Sequence, residues 1–142
     1  TICKGTLETN QIELSLDLED ELIIFGNKNE LMQILINILT NAKDAFESKE
    51  FLKKEIKIVA KKKENNILIT IEDNANGISE EILKKIFNSH FTTKKKDGSG
   101  LGLYLCKKIL EENFKGKIEA FNKKNGAMFM ITIPYSNNWI QK

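Results

Sequence analysis

The sequence contains no arginine, since all 22 of its basic residues are lysines. Arginine clamps phosphate groups through two parallel hydrogen bonds, so any phosphate recognition here has to rest on lysine and on backbone amides. The 20 acidic residues nearly balance the lysines and leave a net charge of +2. That balance gives no indication of nucleic-acid binding or of attraction to an anionic membrane.

Cysteines and long apolar runs are also scarce. Cys3 and Cys106 are far apart and form no CxxC or CxxH pattern, which predicts free thiols in a reducing compartment and argues against zinc. No apolar run approaches the ~20 residues of a membrane-spanning helix, and no signal peptide is visible. We therefore expect a cytoplasmic location and no membrane contact by this chain. Because it begins with Thr1, we expect a piece of a longer protein.

The 142 residues, 41% of them hydrophobic, suffice for one domain with its own core. Alternating and helical apolar patterns predict strands at 11–18, 21–26, 53–63, 66–72, 117–122 and 127–133, and helices at 27–46, 79–87 and 102–114. This order predicts an α/β (α+β) two-layer sandwich, with a mixed, mostly antiparallel sheet of about five strands and three main helices on one face. The domain should span 11–136, between a linker remnant at 1–10 and a tail at 137–142.

Two asparagines lie beside the apolar stripe of the long predicted helix. Asn37 and Asn41, in "NILTNAKDA", are four residues apart and share one face. A buried amide without a partner costs roughly 1–3 kcal/mol, so each needs a hydrogen bond or a ligand. They either bond to the protein itself or direct carbonyl oxygens at a hard cation such as magnesium.

The segment "IEDNANGIS" runs from an apolar strand into Asp73, with Gly77 four residues later. An Asx turn followed by a helix cap is one interpretation. The alternative is that Asp73 accepts a hydrogen bond from the exocyclic amine of a base, while Gly77 lets the ligand approach the backbone.

Three glycines on alternate residues, Gly98, Gly100 and Gly102, lead into the helix at 102–114. Backbone N–H groups at a helix N-terminus favour anions, and glycine leaves them uncovered. A polyphosphate could lie there, although a flexible loop before a helix is nearly as good an interpretation of this segment alone.

In this order and at these distances, the motifs resemble the ATP-binding catalytic domain of sensor histidine kinases, of the fold family shared with DNA gyrase, Hsp90 and MutL. "ELMQILINILTNAKDAF" is similar to the family's asparagine box, "DNANGIS" to its first glycine box, "IFNSHFTTK" to its phenylalanine box and "GSGLGLYLCKKI" to its second glycine box. The resemblance runs from about Ile12 to Pro134, and it implies a protein histidine kinase that uses ATP and Mg²⁺, with an ATP lid at 88–99.

The resemblance also implies roles for individual residues. Asn41 would ligate Mg²⁺, Asn37 and Lys94 would assist catalysis beside it, and Asp73 would hydrogen-bond the adenine amine. The remaining nucleotide contacts would come from Gly77, Ile78, Thr93, Lys94, Gly98, Ser99, Gly100, Leu101, Gly102 and Leu103. Ala75 occupies a position where many relatives have glycine. Asp44 and Ala45 occupy positions where many have lysine and tyrosine. Lys43 is not expected to contact phosphate. The only histidine, His90, is expected to pack within the lid.

Related ATPases carry a glutamate four residues before the metal-binding asparagine, where this chain has Asn37. Without that base, phosphoryl transfer to an acceptor is favoured over hydrolysis. The implied partners are the protein's own upstream dimerisation domain, which carries the acceptor histidine, and a cognate response regulator. The fragment would be a monomer and the full-length protein a homodimer. A cytoplasmic protein and the cytoplasmic part of a membrane-bound sensor both fit this resemblance. The alternatives are an anti-sigma-factor-type serine kinase and a degenerate nucleotide-binding module.

Overall fold

Five strands and three helices lie within residues 12–48, 53–88 and 102–135, the parts of the chain that the computed structural model describes. The strands are β1 (Ile12–Leu18), β2 (Lys54–Lys63), β3 (Asn66–Asp73), β4 (Lys117–Lys123) and β5 (Gly126–Pro134). The helices are α1 (Lys28–Ala45), α2 (Glu80–Leu83) and α3 (Leu103–Asn113), and a short 3₁₀ turn, Phe46–Ser48, follows α1. The linker and tail predicted at the two ends lie outside the described residues.

All five strands form one sheet in the order β1-β2-β3-β5-β4. β1 runs parallel to β2, and every other neighbouring pair is antiparallel. The parallel pair requires a crossover connection, which α1 supplies. The predicted two-layer architecture with a mixed, mostly antiparallel sheet is therefore confirmed.

The central strand β3 separates its two faces by strict alternation. Ile67, Ile69 and Ile71 are at most 5% exposed, whereas Leu68 and Thr70 between them are only half-buried. Successive side chains on a strand point to opposite faces, so the three isoleucines share the face that packs against the helices. The partners of β3 on that face are buried as well, since Ile131 and Ile133 of β5 pair with Ile69 and Ile67.

Helices α1 and α3 cover this face and complete the core. Ile34, Ile38 and Leu110 are fully buried between helices and sheet, and Phe46 closes the end of α1. Burying one such side chain contributes roughly 1.5–3 kcal/mol. Asn27 caps α1 by accepting hydrogen bonds from the N–H groups of two first-turn residues at 2.8 and 3.1 Å.

Two predicted elements differ from the structure. Residues 22–25 form no strand: Leu22 and Ile24 pack on the core, but the segment pairs with none of the five strands. The helix predicted at 79–87 is helical only over Glu80–Leu83, followed by turns. Ser79 caps it as expected, accepting from the Ile82 N–H at 3.2 Å.

We predict that Gly126→Ala destabilises the domain by about 1–3 kcal/mol, because a side chain at this position would collide with the carbonyl oxygen of Asp73. Gly126 also has a φ of +157°, which L-residues rarely adopt. Urea denaturation measures the change, with Asn125→Ala in the adjacent exposed turn as the control, expected within about 0.5 kcal/mol of wild type. Equal stability of the two variants would contradict this close approach of β5 to the end of β3.

Candidate functional site

Asp73 ends β3 in phase with the buried isoleucines, so its carboxylate lies on the helix-covered face. Its Oδ1 accepts hydrogen bonds from the N–H of Ala75 at 3.0 Å and of Ala127 at 3.4 Å. The first bond is the Asx turn that the sequence suggested, and the second fixes the carboxylate to β5. Within the described ranges Oδ2 has no hydrogen-bond partner, which leaves it as an acceptor for a ligand.

Burial raises the pKa of the Asp73 carboxyl above its ordinary value of 3.8. The hydrogen bonds from Ala75 and Ala127 act in the opposite direction and offset part of this effect, while the charge of Glu72 adds a little to it. An acceptor-only carboxylate in a partly desolvated position gains most from a ligand that brings an N–H donor.

Asn74 holds the same loop to the other neighbouring strand. Its Oδ1 accepts from the Glu55 N–H at 2.8 Å, and its Nδ2 donates to the Lys53 carbonyl at 2.9 Å. The loop that leaves β3 is therefore attached to β2 through Asn74 and to β5 through Asp73. The sequence analysis missed Asn74, although asparagine directly after a strand is a known signal for local side-chain-to-backbone bonding.

Gly77 and Ile78 lie where β4 meets this loop. Gly77 has a φ of +86°, so glycine is required here for backbone reasons. Asn122 of β4 accepts from the Ile78 N–H at 2.7 Å and donates to the Ile78 carbonyl at 2.6 Å. Ala75, in contrast, does not have a positive φ and is buried, so alanine is accommodated where many relatives have glycine.

Two side-chain contacts fix the register between α1 and α3. Nδ2 of Asn37 donates to Sγ of Cys106 at 3.4 Å, and Nδ2 of Asn113 donates to the Glu30 carboxylate at 3.0 and 3.2 Å. From Glu30 to Asn37 and from Asn113 back to Cys106 are seven residues each, so the helices run antiparallel in step. One further turn brings Asn41 level with Gly102, at the N-terminus of α3.

The two asparagines differ in environment. Asn37 is 5% exposed, and its amide nitrogen is committed to Cys106. Asn41 is half-buried, and its side chain makes no hydrogen bond to any residue that the structure describes. An uncommitted amide oxygen beside a helix N-terminus can coordinate a cation that is itself held by an anion.

Cys106 is bonded to Asn37, and Lys43 lies on the same helix as both asparagines. Burial raises the pKa of the Cys106 thiol, and the Asn37 hydrogen bond only partly opposes this, so the group remains a neutral thiol. Lys43 forms ion pairs with Asp44 at 3.4 Å and Glu47 at 3.6 Å. Lys43 is therefore directed along its own helix, consistent with the expectation that it does not contact phosphate.

Gly102 is the N-cap residue of α3, and a side chain added there would meet no atom of the described residues within 4 Å. No described residue therefore covers its backbone at the positive end of the helix. Leu103 follows it and is buried. Thr93, Lys94, Gly98, Ser99, Gly100 and Leu101 lie outside the described residues, as do His90 and all of the predicted lid except Asn88.

Nothing in residues 12–48, 53–88 and 102–135 brings together three His, Cys, Asp or Glu side chains that could hold a metal ion. Among the helices in these ranges, none is long and apolar enough to span a bilayer.

The family described as "Histidine kinase-, DNA gyrase B-, and HSP90-like ATPase" matches residues 26–137. Among curated proteins, the chain is 39% identical over 122 residues to the sensor protein KdpD of Clostridium acetobutylicum, covering 82% of the chain and 13% of that protein. It is 33% identical over 131 residues to sporulation kinase E of Bacillus subtilis, covering 91% of the chain and 17% of that protein. The chain thus spans less than a fifth of either relative.

Solved structures agree with these sequence matches. The nucleotide-free catalytic domain of histidine kinase ThkA superposes with a TM-score of 0.79 at 28% identity, covering 94% of this chain and 85% of that one. ThkA in complex with the response regulator protein TrrA gives a TM-score of 0.77 at 27% identity, covering 95% of this chain and 37% of that one.

We predict that Asp73→Asn becomes progressively more stable than wild type as the pH rises from 3.8 through the raised pKa of Asp73. A carboxyl whose folded-state pKa is raised favours folding while protonated and loses that contribution on ionising, whereas the neutral amide does not titrate. Urea denaturation between about pH 3 and pH 8 gives the difference in free energy of unfolding. Asp17→Asn, on exposed β1, is the matched control, and a difference that grows toward acid pH would contradict the burial of Asp73.

Proposed function

The chain belongs to the histidine kinase-, DNA gyrase B- and HSP90-like ATPase family, and on that premise we propose that it binds Mg·ATP and transfers the γ-phosphoryl group to a histidine. It is a sensor histidine kinase catalytic domain by its similarity to KdpD, sporulation kinase E and ThkA. The acceptor histidine would lie on a separate dimerisation domain, and a response-regulator aspartate would receive the phosphoryl group next.

One observation supports this proposal: the Asn37–Cys106 and Glu30–Asn113 hydrogen bonds set a register in which Asn41, whose amide has no partner among the described residues, falls level with the N-terminus of α3. The helix N-terminus attracts phosphate oxygens, and a carboxamide oxygen is a ligand that Mg²⁺ accepts. Both are needed to hold a nucleotide polyphosphate together with its cation. Phosphoryl transfer is largely a matter of such positioning and charge neutralisation.

The residues present fit a magnesium ion that is shared with the nucleotide. Asn41 would supply a protein oxygen, and phosphates and water would supply the other ligands, as is usual for Mg²⁺. The ion would neutralise charge on the phosphates. We propose Lys94, Thr93, Gly98, Ser99, Gly100, Leu101, Gly102 and Leu103 as the remaining contacts along the polyphosphate, and residues 88–99 as a lid over it.

The adenine would lie at the other end of the site, against Asp73. Oδ1 is occupied by the backbone of Ala75 and Ala127, so Oδ2 would accept the hydrogen bond from the exocyclic amine. Gly77 would allow the base to approach the loop, and the half-buried side chain of Ile78 would pack beside it.

Asn37 favours transfer to an acceptor over rapid hydrolysis. It occupies the position where the related ATPases have a general base, and a carboxamide cannot accept a proton from water. One N–H of its amide is also taken by Cys106, so Asn37 could assist catalysis through its carbonyl oxygen or its remaining N–H.

The partners follow from the same proposal. The curated relatives are much longer than this chain, and ThkA forms a complex with a response regulator. We propose that this domain acts in the cytoplasm, on the dimerisation domain of its own protein and with a cognate response regulator. The isolated domain would be a monomer.

We predict that Asn41→Ala and Asp73→Asn weaken nucleotide binding in different ways. Asn41→Ala should leave metal-free ATP binding near wild type but lower the Mg·ATP affinity about tenfold, the effect of roughly 1.4 kcal/mol. Asp73→Asn should weaken binding with and without Mg²⁺ alike, because the contact it removes is to the base. Isothermal titration calorimetry with and without Mg²⁺ measures both.

Lys43→Ala is the matched control for Asn41, since it lies on the same helix and pairs with Glu47. It should retain wild-type affinity under both conditions. Equal, metal-independent losses in the Asn41 and Asp73 variants would refute the two assignments.

We further predict that this domain alone is hardly labelled by γ-³²P-ATP, because the acceptor has to be placed in line with the γ-phosphate and the proposed acceptor histidine lies on a separate domain. Adding the protein's own dimerisation domain should produce acid-labile phosphate on that domain. Phosphate that survives acid would indicate the serine-kinase alternative, and ATP binding without any transfer would indicate a degenerate module. Stoichiometric self-labelling lost in His90→Ala would refute the assigned role of His90.

A further inference from the structure

Asn122 is the side chain in the described part of the chain that binds both backbone groups of one residue of the candidate site. Its Oδ1 accepts from the Ile78 N–H at 2.7 Å and its Nδ2 donates to the Ile78 carbonyl at 2.6 Å. The contact joins residues 44 positions apart in sequence. Neither the sequence motifs nor the proposed function includes Asn122.

The register of the sheet places Asn122 in one row with Asp73. Asn122 of β4 pairs with Ala127 of β5, and the N–H of Ala127 donates to the Asp73 carboxylate on the far side. Asn122 is also in phase with Ile118 and Ala120, which face the helices. The β4–β5 hairpin therefore contacts both ends of the loop, at Asp73 and at Ile78.

Gly77 also restricts the geometry of the contact between the loop and Asn122. A side chain on Gly77 would lie 2.9 Å from Oδ1 of Asn122, and Gly77 has a φ of +86°. The positive φ favours glycine at residue 77, and the absence of a side chain there leaves room for Oδ1 of Asn122. The two hydrogen bonds of Asn122 hold the peptide groups on either side of Ile78.

From this geometry we propose that Asn122 is a positioning residue that sets the preference for adenine, by holding the loop from Asp73 to Ile78 against the hairpin. The inference rests on the proposed binding of adenine at Asp73. Both backbone groups of Ile78 are occupied by Asn122, so Ile78 contributes only its side chain to the base, and Asp73 supplies the discriminating hydrogen bond. Without Asn122 the loop loses its attachment to β4, and the carboxylate and the Ile78 side chain no longer keep a fixed separation.

The test compares ATP with inosine triphosphate, which lacks the exocyclic amine. Kd values for both nucleotides are measured by calorimetry on wild type, Asn122→Ala and Asn122→Asp. Asn122→Asp has the same shape but loses the donor to the Ile78 carbonyl, so it keeps the packing if Asn122→Ala does not fold. Asn125→Ala, in the exposed turn of the same hairpin, is the matched control.

We expect the preference for ATP over inosine triphosphate to fall about fivefold in both Asn122 variants, which corresponds to the free energy of roughly one hydrogen bond. The preference should stay unchanged in Asn125→Ala. Hydrogen exchange at the Ile78 amide should accelerate in Asn122→Ala. A purely structural role would weaken both nucleotides equally, so an unchanged preference in a folded Asn122 variant would overturn the proposal.

Nucleotide binding by wild type distinguishes a failure of the role of Asn122 from a failure of the proposed function on which that role rests. If wild type binds neither nucleotide, the proposed function itself is wrong. If it binds both alike, the assignment of Asp73 to the adenine amine is wrong and the inference falls with it. If wild type prefers ATP and the Asn122 variants do too, only the role of Asn122 is refuted.

Discussion

The alternation of β3 is the constraint on which the site depends. Three isoleucines, Ile67, Ile69 and Ile71, have to face the helices to form the core, and a strand repeats its faces every two residues. Asp73 is therefore carried onto the helix-covered face at the end of the strand, where a shift of register by one residue would turn it away. Burying the isoleucines and presenting the carboxylate are consequences of one register, so the core stabilises the position of the site.

The second constraint is the antiparallel contact between α1 and α3. The two helices would pack by their apolar stripes in several registers, since ridges and grooves recur along a helix. The hydrogen bonds Asn37–Cys106 and Glu30–Asn113 favour one of them. In that register Asn41, whose side chain has no hydrogen-bond partner among the described residues, falls level with the N-terminus of α3, which is the arrangement on which the proposed cation and phosphate contacts rest.

The loop after β3 shows how polar residues replace secondary structure where the sheet ends. Asp73, Asn74 and Asn122 use side chains to continue the hydrogen bonding to β5, β2 and the loop itself. These bonds satisfy backbone groups that no strand ladder pairs where the sheet ends. The loop is therefore attached to β2, β4 and β5, while Oδ2 of Asp73 has no partner among the described residues, as the proposed contact to a base requires.

The sequence by itself determined the order of the five strands and three helices, the sheet of mixed direction, and the candidates Asn41, Asp73 and Gly102, because apolar periodicity is local. It wrongly predicted a strand at 21–26 and a full helix at 79–87, because ladder partners and packing surfaces are set elsewhere in the chain. Only the tertiary structure separated buried Asn37 from uncommitted Asn41 and revealed Asn74 and Asn122. Their partners lie 19 to 69 residues away, and no local pattern specifies which backbone or side chain a distant strand or helix brings into reach.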